Sequence, residues 1–251
     1  MNWNKNHKKP GGAFPLNNRI LRRIAALLLA LLLLPLSGLA AKFKPKDISE
    51  ARSQALSAFR VCAFSAEYGD NGRNYIVRWD QPIRIWVDPS GKQTKNDKKE
   101  LESFVMELGL RVPTLPPITF TGNSALANVK IYYCKYKDMG SKIKNYVSGN
   151  WGYFSYNYAD RRIQEGAVAI ATDKGNQQSR NHLIKEELVG VLGLSNDHEI
   201  YADSILYQKW TTVRDLSEVD WLMLNFLYSP LLKPGDTWST CEQALRKFYD
   251  F

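Results

Sequence analysis

The spacing of apolar residues divides the chain beyond residue 40 into helical and extended segments. Apolar positions three and four residues apart indicate amphipathic helices, whereas alternation and short apolar runs indicate strands. Clusters of Gly, Pro, Asn and Asp separate these segments. Helices mixed with strands, without an internal repeat, are typical of an α+β or α/β domain. The predicted helices cover residues 47–64, 97–110, 181–194 and 218–228, and the predicted strands cover residues 76–87, 118–121, 128–134 and 164–172.

Local capping signals support two of these helices. Asn96 or Asp97 is expected to cap the second helix, which ends before Pro113. The last helix begins with a capping box, in which Ser217 is the N-cap and Asp220 reaches back from three residues further on.

The segment from Glu186 to Asp197 has the outline of a zinc-protease helix that lacks its histidines. Zinc proteases of the pattern HExxHxxGxx(H/D) hold Zn²⁺ with two His four residues apart, activate a water with the Glu, and turn at the Gly towards a third ligand. Glu187 and Gly193 match the Glu and the Gly, whereas Glu186 and Gly190 stand where the histidines belong. The pattern therefore indicates the origin of the segment better than its activity.

Glu187 is the catalytic-type residue that the segment retains. It lies three residues after Ile184 and four before Val191, so helical geometry places its carboxylate beside the buried stripe. Such a carboxylate needs a partner or a proton, because burying an unpaired charge is costly. It is either a candidate general base or the acceptor of a structural hydrogen bond. The residues assigned to a binding or vestigial site are Glu186, Gly190, Gly193, Asn196 and Asp197.

The alternative to a domain without a metal is a metal site displaced by about one helical turn from the usual position. His182 and Glu186 are one helical turn apart, and His198 follows the Gly193 turn. A carboxylate and two imidazoles are acceptable zinc ligands. We expect no cofactor, with zinc bound by His182, Glu186 and His198 as the alternative.

An aromatic-rich stretch, residues 145–158, lies between the strands predicted at 128–134 and 164–172. It forms either a surface on which a sugar or a peptide stacks, or a strand packed on the core. Aromatic enrichment and alternation are usual in strands, so we favour the packed strand. Its rings belong to Tyr146, Trp151, Tyr153, Phe154, Tyr156 and Tyr158.

Several short motifs in order along the chain resemble the bacterial family called domain of unknown function 2927. The resemblance covers about residues 65–235 and implies an exported α+β domain with a zincin-like (metallopeptidase-like) fold, in which a mixed sheet carries an active-site-type helix and a C-terminal helix. It implies no activity, and the Gln that the family commonly has within its EELxQ(A/V)LGL segment is Gly190 here. The motifs are RWDQPIRI at 78–85, ANV at 127–129, EEL at 186–188, LGLSND at 192–197, SI at 204–205, LSEVD at 216–220, LYSP at 227–230 and KPG at 233–235.

The first 40 residues have the form of a signal peptide. Six basic residues and no acidic one occur in residues 1–23, and an apolar run over residues 24–40 ends in small residues. This run is short for a membrane span and contains Pro35, so cleavage after about Ala40 is favoured. We expect an exported protein, periplasmic or secreted, without a membrane span after cleavage.

Removal of this segment changes the charge balance. The whole chain carries a net charge of +9, and the segment holds six of its 34 basic residues and none of its 25 acidic ones, which leaves +3 on the remaining 211 residues. No zinc finger, aromatic-basic RNA motif or long basic run follows, so no nucleic-acid partner is expected. The remaining length suits a single domain, residues 41–251, with a full-sized core.

Three cysteines remain in this domain. Cys62, Cys134 and Cys241 are far apart and lack CxxC spacing, which argues against a structural zinc site. In an oxidising compartment, one disulfide and one free thiol are expected, and the pairing stays open.

Three functions are open. The one we favour is a domain without zinc catalysis that has a binding or assembly role in the cell envelope, with an envelope protein or a peptide as its partner. The second is a metal-dependent hydrolase or peptidase with unusual ligands and Glu187 as general base. The third is metal-free hydrolysis by a carboxylate pair of Glu186 or Glu187 with Asp197. It ranks last because adjacent helical residues diverge by about 100°, so Glu186 and Glu187 cannot face one substrate atom.

Overall fold

Five strands form a mixed sheet in the computed structural model, which describes residues 41–65 and 73–251. The order across the sheet is β2-β1-β3-β5-β4, in which the first four strands are parallel to their neighbours and β4 is antiparallel to β5. Buried and half-buried residues alternate along most of β3, as expected of a strand whose two faces differ. The strands are β1 (Ile83–Val87), β2 (Ile118–Phe120), β3 (Val129–Cys134), β4 (Gly152–Ala159) and β5 (Arg162–Ala171).

Helices cover the sheet and complete the core. The helix α4 packs on β4, β5 and α2, while α1 packs against α5 and α6. The predicted α+β class with a mixed sheet is confirmed. The helices in the described residues are α1 (Ile48–Ala63), α2 (Lys95–Arg111), α3 (Met139–Lys142), α4 (Gln177–Val191), α5 (Glu218–Leu227) and α6 (Trp238–Tyr249), with a 3₁₀ turn at Tyr136–Asp138.

A tight hairpin sets the direction of β4. Asp160 and Arg161 form its two-residue loop, with φ angles of 49° and 66°. Positive φ at both loop positions is the geometry of a type I′ turn, whose twist matches that of the flanking strands. The Arg161 guanidinium stacks on the ring of Tyr75 at 4.0 Å. The hairpin places β4 at the end of the strand order, where α4 packs against it.

Local caps account for the helix starts, and one predicted cap is wrong. The capping box of Ser217 and Asp220 is present at α5, and Asp47 caps α1. Thr94, not Asn96 or Asp97, caps α2: its hydroxyl accepts from Asp97 N at 3.1 Å, and the Asp97 carboxylate accepts from Thr94 N at 2.8 Å. This reciprocal pair lets the helix begin at Lys95, before either predicted cap.

Three other elements differ from the predictions. The strand predicted at 76–87 begins only at Ile83, because Ile76 bonds to Asp236 and Gly235 instead of joining the sheet. Asn176 caps α4, so this helix begins one turn before the predicted start and ends at Val191. The last helix, α6, was not predicted.

The expected disulfide is wrong. Cys62, Cys134 and Cys241 are all free and buried. They lie in separate places, on α1, at the end of β3 and on α6. Burial raises the pKa of the Cys62 thiol well above its usual value, that of Cys134 to about 11 and that of Cys241 to about 12. The three thiols therefore stay protonated, which makes them poor nucleophiles.

The described residues belong to one compact unit, Ala40–Phe251. The predicted signal peptide, residues 1–40, lies outside the described residues. Within the part of the chain that the structure describes, no helix combines the length and the apolar character needed to cross a membrane.

Candidate functional site

A cleft of about 650 Å³ lies between β4, α4 and the segment 206–210. It brings together several residues that the sequence singled out and leaves out three others. Gly193, Asn196 and His198 do not line it. Those that do are His182, Glu186, Glu187, Gly190 and Asp197.

Glu187 lies in this cleft with 8% of its surface exposed. Its carboxylate reaches Gly152 at the start of β4, where an added Cβ would overlap Oε1. A glycine at 152 therefore leaves the room that the carboxylate occupies. The position agrees with the predicted place of Glu187 beside the apolar stripe.

The first histidine position of the protease pattern holds Glu186, which is engaged with His182. The Glu186 Oε2 atom lies 3.3 Å from His182 Nε2, and His182 Nδ1 lies 2.6 Å from Val213 O. Burial alone would lower the pKa of His182, but the hydrogen bond and the charge of Glu186 outweigh it, so this pKa is raised. The pair is one helical turn long and lies on the cleft side of α4.

The second histidine position holds Gly190, against which the ring of Phe154 packs. A Cβ at Gly190 would lie 2.5 to 2.8 Å from three atoms of that ring. Real Cβ atoms do not approach other atoms so closely. The Phe154 ring therefore occupies the space that a side chain at position 190 would need.

Gly193 and Asn196 have structural roles. Gly193 has a φ of 114°, and a Cβ there would lie 2.5 Å from Val77 O, so both its conformation and its surroundings require glycine. Asn196 Nδ2 donates to Ser65 Oγ at 2.8 Å and ties the turn to the end of α1. They shape the turn after α4, whereas Asp197 reaches the cleft.

His198 belongs to a buried polar network outside the cleft. Its Nδ1 accepts from Ile200 N at 3.1 Å, and its Nε2 lies 3.0 Å from Ser204 Oγ, which in turn donates to Asp220 Oδ1 at 2.5 Å. Burial lowers the pKa of His198 to about 4. Burial also raises the pKa of Asp220, against the effect of its hydrogen bonds to Ser204, Ile205 and Ser217. Both nitrogens of the His198 ring are thus already used.

The described residues do not fit a zinc ion. No group of three His, Cys, Asp or Glu side chains in the described ranges is close enough to hold a metal. Of the alternative ligands, His182 and Glu186 bind each other, while both ring nitrogens of His198 have partners in its own network. The structure therefore does not bring the three proposed ligands together as a metal site.

The aromatic stretch contributes more to the cleft than the favoured interpretation predicted. Tyr153 is buried, as expected of a packed strand. The alternate residues Phe154, Tyr156 and Tyr158 pack on the core and also line the cleft, with ring centroids 6.1 and 6.3 Å apart. Their spacing of two residues was the sequence signal for a shared face.

Two exposed tryptophans stand in the same cleft. Trp151 is 37% exposed and Trp210 is 58% exposed, and their ring centroids are 5.6 Å apart. Trp210 also contacts the His182 ring, at 5.6 Å. Sequence reasoning missed Trp210, because only the folded chain brings residues 206–210 beside α4.

A buried arginine lines the cleft beside Ser195. Arg73 Nη1 donates to Tyr156 OH at 2.7 Å, while its Nη2 donates to Ser195 Oγ at 3.0 Å and to Ala63 O at 2.9 Å. The guanidinium joins β4, the turn after α4 and the end of α1. It fixes the cleft wall through neutral acceptors.

Comparison with known proteins places the chain in a family. None of the curated proteins matches it. A sequence model of the family described as protein of unknown function (DUF2927) matches residues 52–247, which is most of the chain. The protein therefore belongs to the DUF2927 family.

Proposed function

We propose that this protein is exported to the bacterial cell envelope, has a zincin-like domain without the usual zinc ligands, and uses its cleft to bind a peptide segment of an envelope partner. The observation that carries the proposal is the state of the two histidine positions. Glu186 is paired with His182, and the space at Gly190 is filled by Phe154. A cleft built in this way supports binding better than metal catalysis, because metal affinity needs several good ligands.

The architecture supports the zincin-like part of the proposal. The edge strand β4 runs antiparallel to its neighbour, and the helix α4, which carries Glu187, packs beside it. The turn at Gly193 and the capped helix α5 follow in the order that the metallopeptidase pattern requires. The form of the first 40 residues supports export.

The lining of the cleft supports a peptide ligand. A volume of about 650 Å³ lies within the usual range for ligand sites. The wall combines aromatic rings with both acidic and basic side chains, among them Glu186, Asp197 and Lys209. Exposed tryptophans beside such a wall are typical of surfaces that a partner covers, since Trp is enriched among residues that dominate binding energy.

A display selection tests the binding role. Randomised short peptides are selected on the purified protein, and their affinities are measured by calorimetry. We expect the substitution Trp210→Ala to weaken binding by about tenfold or more. Phe248→Ala removes an aromatic ring of similar exposure on α6, outside the cleft, and is the matched control. Peptides that bind equally to the wild type and to Trp210→Ala contradict the assignment of the cleft.

The second candidate is a metal-dependent hydrolase with unusual ligands, and the observation that favours it is the position of Glu187 in the cleft. Metal analysis separates the two functions. Zinc retained at one equivalent per chain through dialysis, with peptide hydrolysis lost in Glu187→Gln, supports the hydrolase and overturns the binding role. Selected peptides that bind to a protein without retained zinc and are not hydrolysed support the binding role.

A further inference from the structure

Two tryptophans, Trp151 and Trp210, present exposed ring surface at one end of the cleft. Their rings pack on each other at an angle of 63°, with the centroids 5.6 Å apart, yet both residues stay exposed. The chain also supports Trp151 at Gly175, where an added Cβ would lie 3.3 Å from Trp151 Cζ3. The pair is therefore held by its neighbours and still has ring surface left for a ligand.

Cations of the chain lie over other aromatic rings of this molecule but not over these two. Arg60, for example, lies over the ring of Trp238 at 5.2 Å. Among the residues that the structure describes, no Lys or Arg side chain makes such a contact with Trp151 or Trp210. Tryptophan is the aromatic side chain that attracts a cation most strongly. The exposed rings of the cleft thus offer this interaction to a cation of a ligand.

Glu186 supplies a hydrogen-bond acceptor beside the tryptophans. Its Oε2 atom lies 3.3 Å from His182 Nε2, and the ring of the same histidine lies 5.6 Å from that of Trp210. The Glu186 Oε1 atom has no hydrogen bond within the described part of the chain, and 20% of the side chain is exposed. Since a carboxylate has about four acceptor sites, Glu186 can accept from a ligand while it stays bound to His182.

A second carboxylate lies near the same end of the cleft. The Glu187 Oε1 atom occupies the space beside Gly152, the residue that follows Trp151. Protonation of the imidazole between Glu186 and Trp210 would offset one of the two negative charges. At least one negative charge therefore remains close to the tryptophans.

The two basic side chains that line the cleft do not cancel this charge. Arg73 donates to Tyr156 OH at 2.7 Å, and Tyr156 is five residues beyond Trp151 along an extended chain, which separates them by about 17 Å. Lys209 is exposed, so solvent and salt screen its charge. The charge close to the tryptophans therefore favours a cation.

We propose that the end of the cleft at Trp151 and Trp210 is a subsite for an arginine side chain. The guanidinium lies over the exposed ring surface and donates to the Glu186 carboxylate. Arginine suits both contacts, because its planar group stacks on an aromatic face while its N–H donors point outwards in the plane towards a carboxylate. That this arginine belongs to a peptide rests on the proposed function, whereas the preference for the guanidinium does not.

A pair of blocked amino acids tests the subsite without a peptide. N-acetyl-arginine methylamide and N-acetyl-citrulline methylamide have nearly the same size and shape, but citrulline carries no charge. Each is titrated into the purified protein, and the indole N–H signals of Trp151 and Trp210 are followed by NMR. We expect the arginine compound to saturate these signals with an affinity about tenfold or more above that of the citrulline compound. Equal affinities overturn the subsite.

Three variants locate the preference in the cleft. Glu186→Gln keeps the size of the side chain and removes its charge, and Trp210→Leu keeps an apolar side chain and removes the ring. We expect each to lower the preference for arginine over citrulline to about threefold or less. Glu165→Gln is the matched control, because it removes an exposed carboxylate of β5 outside the cleft and should leave the preference unchanged. A preference that persists in both Glu186→Gln and Trp210→Leu refutes the assignment.

The peptides of the display selection separate this subsite from the proposed function. Selected peptides are expected to contain arginine, and replacing it by citrulline should weaken their binding by about tenfold. Peptides that bind in the cleft without arginine, or equally well with citrulline, support the binding role and overturn the subsite. A preference for blocked arginine in a protein that binds no peptide supports the subsite and overturns the peptide-binding role.

Discussion

The contact between Gly190 and Phe154 predicts that Gly190→Ala changes the free energy of unfolding in opposite directions in the wild type and in Phe154→Ala. Gly190→Ala adds a single methyl group to α4, at a point where its carbon would lie 2.5 Å from the nearest atom of the Phe154 ring. In Phe154→Ala that ring is absent. The same substitution then adds a methyl group at a position whose three nearest neighbouring atoms have been removed.

Two opposing effects set the magnitude. Replacing glycine by alanine within a helix stabilises by up to about 1 kcal/mol. Forcing an extra carbon into a packed contact costs about 1 to 3 kcal/mol. In the wild type we therefore expect Gly190→Ala to lower the free energy of unfolding by about 1 kcal/mol. In Phe154→Ala we expect it to raise that free energy by about 0.5 to 1 kcal/mol.

Urea unfolding of the four proteins measures this cycle: the wild type, the two single variants and the double variant. The two residues should show a coupling energy of about 2 kcal/mol, well above the error of such cycles. Gly109→Ala on α2 is the matched control, because its added Cβ meets nothing within 4 Å, so its effect should be the same in both backgrounds. Equal effects of Gly190→Ala in the two backgrounds would refute the packing argument. The space at position 190 would then be open to a ligand.

Three further predictions concern positions 186 and 190, the turn at Gly193, and the buried network around His198. Glu186→His with Gly190→His should not create a zinc site, whereas the same pair with Phe154→Ala should bind zinc more tightly, as measured by competition with a chelator. Gly193→Ala should destabilise by about 2 kcal/mol or more in urea unfolding, because it strains a φ of 114° and meets Val77 O; an effect below about 0.5 kcal/mol contradicts this. Burial lowers the pKa of His198 to about 4, so the folded protein holds this ring neutral near neutral pH. Its contribution to the free energy of unfolding is complete above the ordinary pKa of 6.5. As the pH falls from 6.5 to about 4, this contribution is lost, by on the order of 3 kcal/mol. Thermal unfolding at a series of pH values should show a shallower acid slope for His198→Asn than for the wild type, and parallel slopes would be inconsistent with this account.

Some elements of the structure were predictable from short stretches of sequence. The capping box of Ser217 and Asp220 fixes the start of α5 through bonds between residues three apart. The β-rich run of β3 and the helical stripe containing Ile184 and Leu188 were also predictable, because period and propensity are local properties. The absence of histidine from positions 186 and 190 is likewise a fact of the sequence.

The sequence by itself determined the α+β class, most of the elements and the presence of Glu187 on a helix that has no histidine at positions 186 and 190. Only the tertiary structure decided which side chains surround this segment of α4. Phe154 comes from β4 to fill the space at Gly190, and Trp210 comes from a loop to stand beside His182. These meetings join residues far apart in the chain, so neither periodicity nor spacing encodes them. The packing of β4 and of residues 206–210 beside α4, which depends on the whole core, decides what surrounds Glu187 in the cleft.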